Sequence, residues 1–103
     1  SSIKYKRDVV NTTHGLTEVL ALRPVTYKSK NEVDGEKSIG GLIAEEVHAV
    51  GLSEFVEYAK DGTPDALAYG NMVSLCIKAI QELKTIIDSQ AVRIAALENK
   101  IGN

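Results

Sequence analysis

The stretch from Asn71 to Ile101, NMVSLCIKAIQELKTIIDSQAVRIAALENKI, contains neither glycine nor proline, and its apolar residues recur in alternating steps of three and four. Ile80, Leu83, Ile87, Ile94, Leu97 and Ile101, with Gln90 in their register, trace a heptad seam down one side of a helix. Val73 and Cys76 extend the seam backward. Asn71 offers a capping side chain, so the spacing predicts one helix from about Met72 to Ile101. At 1.5 Å per residue such a helix is roughly 45 Å long. The remaining residues, about 70, build a domain too small to cover it. The seam therefore needs partners outside its own chain, and further copies of the same helix are the most economical ones.

Isoleucines at 80, 87, 94 and 101 fall on one seam position and Leu83 and Leu97 on the other, which leaves Gln90 as a single polar layer. One polar layer is a device for fixing register and oligomer state at some cost in stability. Arg93 and Glu98 fall on flanking positions that can pair between neighbouring chains. The alternative is an amphipathic helix packed on its own domain. A narrow two-in-seven stripe suits a coiled coil better than a globular face. Stoichiometry stays open at this level: alternating Ile and Leu favour two strands in parallel dimers, and nothing in the seam alone demands three.

Taken whole, the 103 residues with 44% hydrophobic and 25% charged content describe an ordered globular chain of one domain. The net charge is -2 and the Lys and Arg residues are dispersed, so no phosphate-binding footprint exists and no nucleic-acid partner is expected. No apolar run approaches the 18 or so residues that a membrane span needs, and no charged-then-apolar leader opens the chain. No membrane partner is expected, and export or anchoring would depend on something outside these residues. Cys76 stands alone in the apolar run Val73, Leu75, Ile77, which points to a small buried hydrophobe with no disulfide role.

Asn11-Thr12-Thr13 supplies capping side chains before Leu16, Val19, Leu20 and Leu22, and Pro24 closes a short helix there. Val25 to Lys28 alternates as a strand and runs into a polar loop at 29–38. Gly40 and Gly41 favour an extended start that turns into a short helix until Gly51 stops it. Phe55 to Tyr58 and Ala66 to Tyr69 form a hairpin around Asp61-Gly62, with Pro64 requiring a loop longer than two residues.

Taken in order, Leu20-Ala21-Leu22-Arg23-Pro24-Val25-Thr26-Tyr27-Lys28, Gly41-Leu42-Ile43-Ala44-Glu45-Glu46-Val47, Val56-Glu57-Tyr58, Tyr69, and Leu75-Cys76-Ile77-Lys78-Ala79-Ile80-Gln81-Glu82-Leu83 span most of the chain. This series resembles the C-terminal intramolecular chaperone domain of endosialidases and other bacteriophage tail spikes, fibres and appendages. One departure is local: Gly51-Leu52-Ser53-Glu54 lacks the proline that often precedes the Val-x-Tyr strand in relatives. The resemblance also implies roles for a serine and a lysine five residues apart, which here are Ser1 and Lys6. It implies that the serine attacks the carbonyl of the residue before it, with the lysine as base. The bond immediately before Ser1 is then cut, and a chain beginning at Ser1 is the released product.

That chemistry sets conditions. A serine hydroxyl is a weak nucleophile, and a lysine accepts its proton only when neutral, which requires a pKa below the ordinary value of about 10.4 through desolvation or nearby positive charge. Lys4 and Arg7 are candidates for the second effect. Residues five apart lie about 140° apart around a helix and on opposite faces of a strand. Contact between Ser1 and Lys6 therefore needs a bend between them or a lysine from a neighbouring chain. Without the family, SSIKYK reads as a basic, solvated leader.

Other chemistry-bearing residues carry less. His14, beside the capping run, and His48, on a short helix, have no cysteine or carboxylate pattern with metal spacing, so surface or capping roles are expected and no metal or cofactor is. Glu45 and Glu46 are adjacent and point in different directions on a helix, which argues against a shared acid-base site and leaves one of them open as support for the dyad. Gly35-Glu36-Lys37-Ser38 lacks the preceding glycine and the strand-to-helix setting of a phosphate loop.

The expected architecture is one α+β domain over 1–103, globular over 1–70, with a long coiled-coil helix over 71–103 that trimerises as in the family. The implied function is a self-cleaving intramolecular chaperone. Its partners are two further copies and the β-rich upstream part of its own parent, acting in the host-cell cytoplasm before the parent enters the virion tail. Two alternatives are a permanent trimerisation domain that never cleaves and an auto-processing domain of a membrane-anchored transcription regulator.

Overall fold

The computed structural model describes residues 1–102; the predicted segment 71–103 ends on Asn103, which lies outside the described residues. An arm of residues 1–13, exposed throughout, precedes the body and carries one 3₁₀ turn at Ile3–Tyr5. Beyond it come α1 (Leu16–Leu20), β1 (Val25–Tyr27), β2 (Ile39–Gly41), α2 (Ala44–Val50), β3 (Val56–Tyr58), β4 (Pro64–Leu67) and α3 (Met72–Gly102). The fold is α+β, with short helices, two small antiparallel sheets and one long C-terminal helix.

Each sheet is a single hairpin. β1 pairs with β2 in the register Val25 to Gly41 and Tyr27 to Ile39, and β3 pairs with β4 from Val56 opposite Leu67 to Tyr58 opposite Pro64, with an irregularity between Glu57 and Tyr58. Gly62, at a φ of 85°, takes the left-handed position that the second turn requires. Pro64 opens its strand, where a missing N–H is tolerated. Ala68 and Tyr69 do not continue β4 as the alternation predicts. Tyr69 begins a 3₁₀ turn, and its hydroxyl accepts from the Leu42 N–H at 2.9 Å and donates to the Leu42 carbonyl at 3.2 Å. Held by these two hydrogen bonds, the Tyr69 hydroxyl leaves no room for a side chain at Gly41, where a Cβ would lie 2.6 Å from its oxygen.

The core gathers Val47, Leu52, Phe55, Val56, Met72 and Leu75, with Val19, Leu22, Leu42, Val50 and Leu67 packed around them. Gly51, at a φ of 96°, ends α2 and returns the chain so that Leu52 is fully buried. α1 rests on α3, closing the body from the other side.

The first turns of α3 belong to this body through Met72, Leu75 and Ala79, all buried. Cys76 is exposed, which corrects the expectation of a buried thiol; it lies on the neighbouring side of the helix with Val73 and Ile80. From Leu83 to Gly102 every residue is exposed. The radius of gyration is 19.6 Å, against about 13 Å for a compact chain of this size, and the longest dimension is 67 Å.

Candidate functional site

The arm bends where the spacing of Ser1 and Lys6 requires it. The Ser2 hydroxyl accepts from the Lys4 N–H at 3.3 Å, Tyr5 N–H donates to Ser2 O at 3.1 Å, and Lys6 N–H donates to Ile3 O at 3.0 Å. A serine at the mouth of a short turn caps it in this way because its oxygen competes well for nearby N–H groups. The turn brings Lys6 back over the start of the chain, and its Nζ donates to the Ser1 carbonyl oxygen at 2.9 Å. The contact lies within one chain, and it is to the carbonyl oxygen of Ser1. Asp8 follows with a φ of 55°, a left-handed conformation that aspartate tolerates better than most residues.

Lys4 and Arg7 have partners of their own. The Lys4 Nζ lies 5.1 Å from the centre of the Tyr5 ring, and Arg7 faces Asp8 at 3.9 Å.

Ser1 and Lys6 share an open cleft with the body. Glu54 and Phe55, the turn at Gly70 and Asn71, and Val73 and Ile77 of α3 also line it. Glu54 is the carboxylate of this cleft. Its Oε2 lies 2.5 Å from His14 Nδ1, and it holds the imidazole above its ordinary pKa by that hydrogen bond first, with smaller electrostatic help from Glu54 and Glu18. His14 thus has a paired surface role. Capping of α1 falls to others: Glu18 accepts from the Gly15 N–H at 2.6 Å and Glu82 of α3 from the Leu16 N–H at 2.9 Å, whereas Thr12 closes a local turn with the His14 N–H at 3.2 Å. These carboxylates sit where the helix start favours negative charge.

The remaining candidates lie elsewhere. Glu46 binds the Arg23 guanidinium through both oxygens at 3.1 and 2.5 Å, which holds its carboxyl below the ordinary range; neither it nor Glu45 lines the cleft. His48 Nδ1 lies 2.8 Å from the Tyr58 hydroxyl, with the rings edge to face.

Along α3, the seam residues Val73, Cys76, Ile80, Leu83, Ile87, Gln90, Ile94, Leu97 and Ile101 are all exposed in the single chain. Gln90, Arg93, Ile94 and Leu97 border a shallow groove midway along it. Val73 of the seam and Ile77 beside it also line the Ser1–Lys6 cleft, so the cleft borders the base of the seam. Sequence reasoning missed Glu54 and the 69–71 turn as neighbours of the arm. Nothing local marks them, because they reach it only through the tertiary fold. Among the described residues, no three His, Cys, Asp or Glu side chains gather as metal ligands and no helix is long and apolar enough to cross a membrane.

The model of a peptidase family described as chaperone of endosialidase matches residues 1–57. The matched span contains the arm with Ser1 and Lys6, the His14–Glu54 pair and the elements from α1 through most of β3. No curated protein and no solved structure matches the chain.

Proposed function

The chain belongs to the family of chaperones of endosialidase, and from that premise we propose that it is a self-releasing intramolecular chaperone for the upstream part of its own parent protein. The observation that carries this reading is the Lys6 Nζ contact to Ser1 at 2.9 Å across a three-residue turn. That contact is to the Ser1 carbonyl oxygen, and the reaction requires Lys6 to exchange it for the hydroxyl of the same residue.

In the proposed reaction, neutral Lys6 takes the proton of the Ser1 hydroxyl as Oγ attacks the carbonyl carbon of the preceding residue. A C–O bond forms and the C–N bond to Ser1 breaks, while the Lys6 ammonium returns a proton to the departing Ser1 nitrogen. Water then hydrolyses the resulting ester, giving an upstream carboxylate and restoring the Ser1 hydroxyl. With base and nucleophile in one short segment, the reaction would face less of the entropic part of its barrier.

The chaperone role rests on α3. Three copies joined along the seam align the upstream chains and raise their effective concentration, which lowers the cost of long-range β pairing in a spike, fibre or appendage. Val73 and Ile77 line the cleft, which gives assembly a route to influence cleavage, since a neighbouring helix docked on the proposed seam would also border the site. Loss of the domain leaves a parent that cannot readily retrace its assembly. The setting proposed is the host-cell cytoplasm, with the processed parent in the virion tail.

The test is expression with the natural upstream sequence as wild type, Ser1→Ala and Lys6→Ala, followed on a denaturing gel. Wild type separates into two chains and both variants stay whole. A wild-type chain that stays whole leaves permanent trimerisation as the function.

A further inference from the structure

The arm is exposed along its whole length and carries Ile3, Tyr5, Val9 and Val10 into solvent, yet Ser1 and Lys6 line one cleft with Glu54 and Phe55 of the body. Among the described residues, no hydrogen bond joins 1–13 to residues beyond His14. The first such link is His14 Nδ1 to Glu54 Oε2, between residues 40 apart in sequence. Both ends of this pair are consequential. His14 closes the arm through Thr12, and Glu54 lines the same cleft as Ser1 and Lys6.

We propose that His14 and Glu54 form a positioning latch for self-cleavage: the pair pins the root of the arm to the body and keeps the carboxylate of the cleft engaged, away from Lys6. The second part follows from charge. A carboxylate beside an amine stabilises the ammonium form, and an ammonium cannot accept the serine proton. A Glu54 released from His14 would sit in the cleft with Lys6 as its available cation. Paired with His14, its charge is met by the imidazole. The surroundings agree with this pairing: Glu18 of α1 adds a second negative charge near His14, Lys78 and Glu82 of α3 pack against Gly15 beside it, and Lys6 lines the cleft that Glu54 also lines. The raised pKa of His14 has the sign of such a pair, whose stabilisation is fully present below the ordinary imidazole value and is lost as pH rises through the raised one.

This inference rests on Ser1–Lys6 cleavage, and its test separates the two. Cleavage rate is followed against pH for the upstream-extended chain as wild type, His14→Ala, His14→Gln, Glu54→Gln and the double variant His14→Ala/Glu54→Gln. Amide exchange over residues 3–16 is followed in the released chain, and melting temperature checks that each variant folds. His14→Ala slows cleavage about tenfold near neutral pH and moves the rising limb of the profile upward by about one pH unit, corresponding to the loss of one pairing interaction. The double variant stays slow but returns the limb to its wild-type position, and His14→Gln, which can still donate to Glu54, recovers part of the rate. Exchange rises in His14→Ala and falls back in His14→Gln. Wild-type profiles and unchanged exchange in His14→Ala overturn the latch while leaving cleavage standing. A wild type that never cleaves removes the dyad, and the latch is then judged on exchange alone, with an unaltered arm in His14→Ala overturning it.

Discussion

Met72–Glu82 and Leu83–Gly102 are parts of one helix written in one apolar rhythm, and they meet different surroundings. In the first part Met72, Leu75 and Ala79 enter the core and Glu82 accepts a hydrogen bond from the start of α1, while Val73, Cys76 and Ile80 face outward on the next side. In the second part nothing is buried, although Leu83, Ile87, Ile94 and Leu97 continue the stripe. The contrast teaches that α3 carries two apolar faces with different ends: one anchors the helix to its own body, and the other is continuous from base to tip and unmet within the chain. An apolar stripe of this length left in water is characteristic of an association surface.

Breaking the distal part alone has the largest expected effect. Ile87→Asp with Ile94→Asp places charge on the seam and reduces the proposed trimer to single chains in sedimentation, while circular dichroism of the body hairpins and core changes little. Breaking the base does the reverse. Leu75→Ala, at a site 1% exposed, lowers the stability of the body by about 2–5 kcal/mol in denaturant titration. Association of the distal helices then persists after the body melts.

A smaller change sharpens the seam. Gln90→Leu removes the polar layer and raises the melting temperature of the assembly by several degrees, while sedimentation shows a mixture of oligomers. The smallest concerns the body alone: Arg23 holds the Glu46 carboxyl below its ordinary range, so this pair stabilises above the ordinary carboxylate value and the contribution is lost as pH falls through the lowered one. Arg23→Ala therefore lowers the melting temperature slightly at neutral pH and leaves it unchanged at strongly acidic pH.

The same contrast marks what was legible in the sequence. Elements set by local rules were readable: Pro24 after α1, Gly51 stopping α2, Gly62 in the second hairpin and the long helix itself. Relations between distant residues were not. Glu18 caps the Gly15 N–H locally, but nothing near Asn11-Thr12-Thr13 reveals that the Leu16 N–H is capped by Glu82, 66 residues away. Burial of Cys76 was misread because two apolar faces run side by side at the base of α3, and spacing alone does not say which one the body takes. At the site, the need for a bend between Ser1 and Lys6 followed from helix and strand periods, and the 3₁₀ turn supplies one. Glu54 stayed hidden, since its link to His14 exists only once the chain has folded.

The central claim, that Ser1 and Lys6 release this domain, is tested most directly by the intact mass of the fragment shed from the upstream-extended chain. The account predicts a fragment from wild type whose first residue is Ser1 and none from Lys6→Ala, with both proteins assembled to the same size before cleavage. A Lys6→Ala chain that sheds the same fragment at the wild-type rate would contradict it.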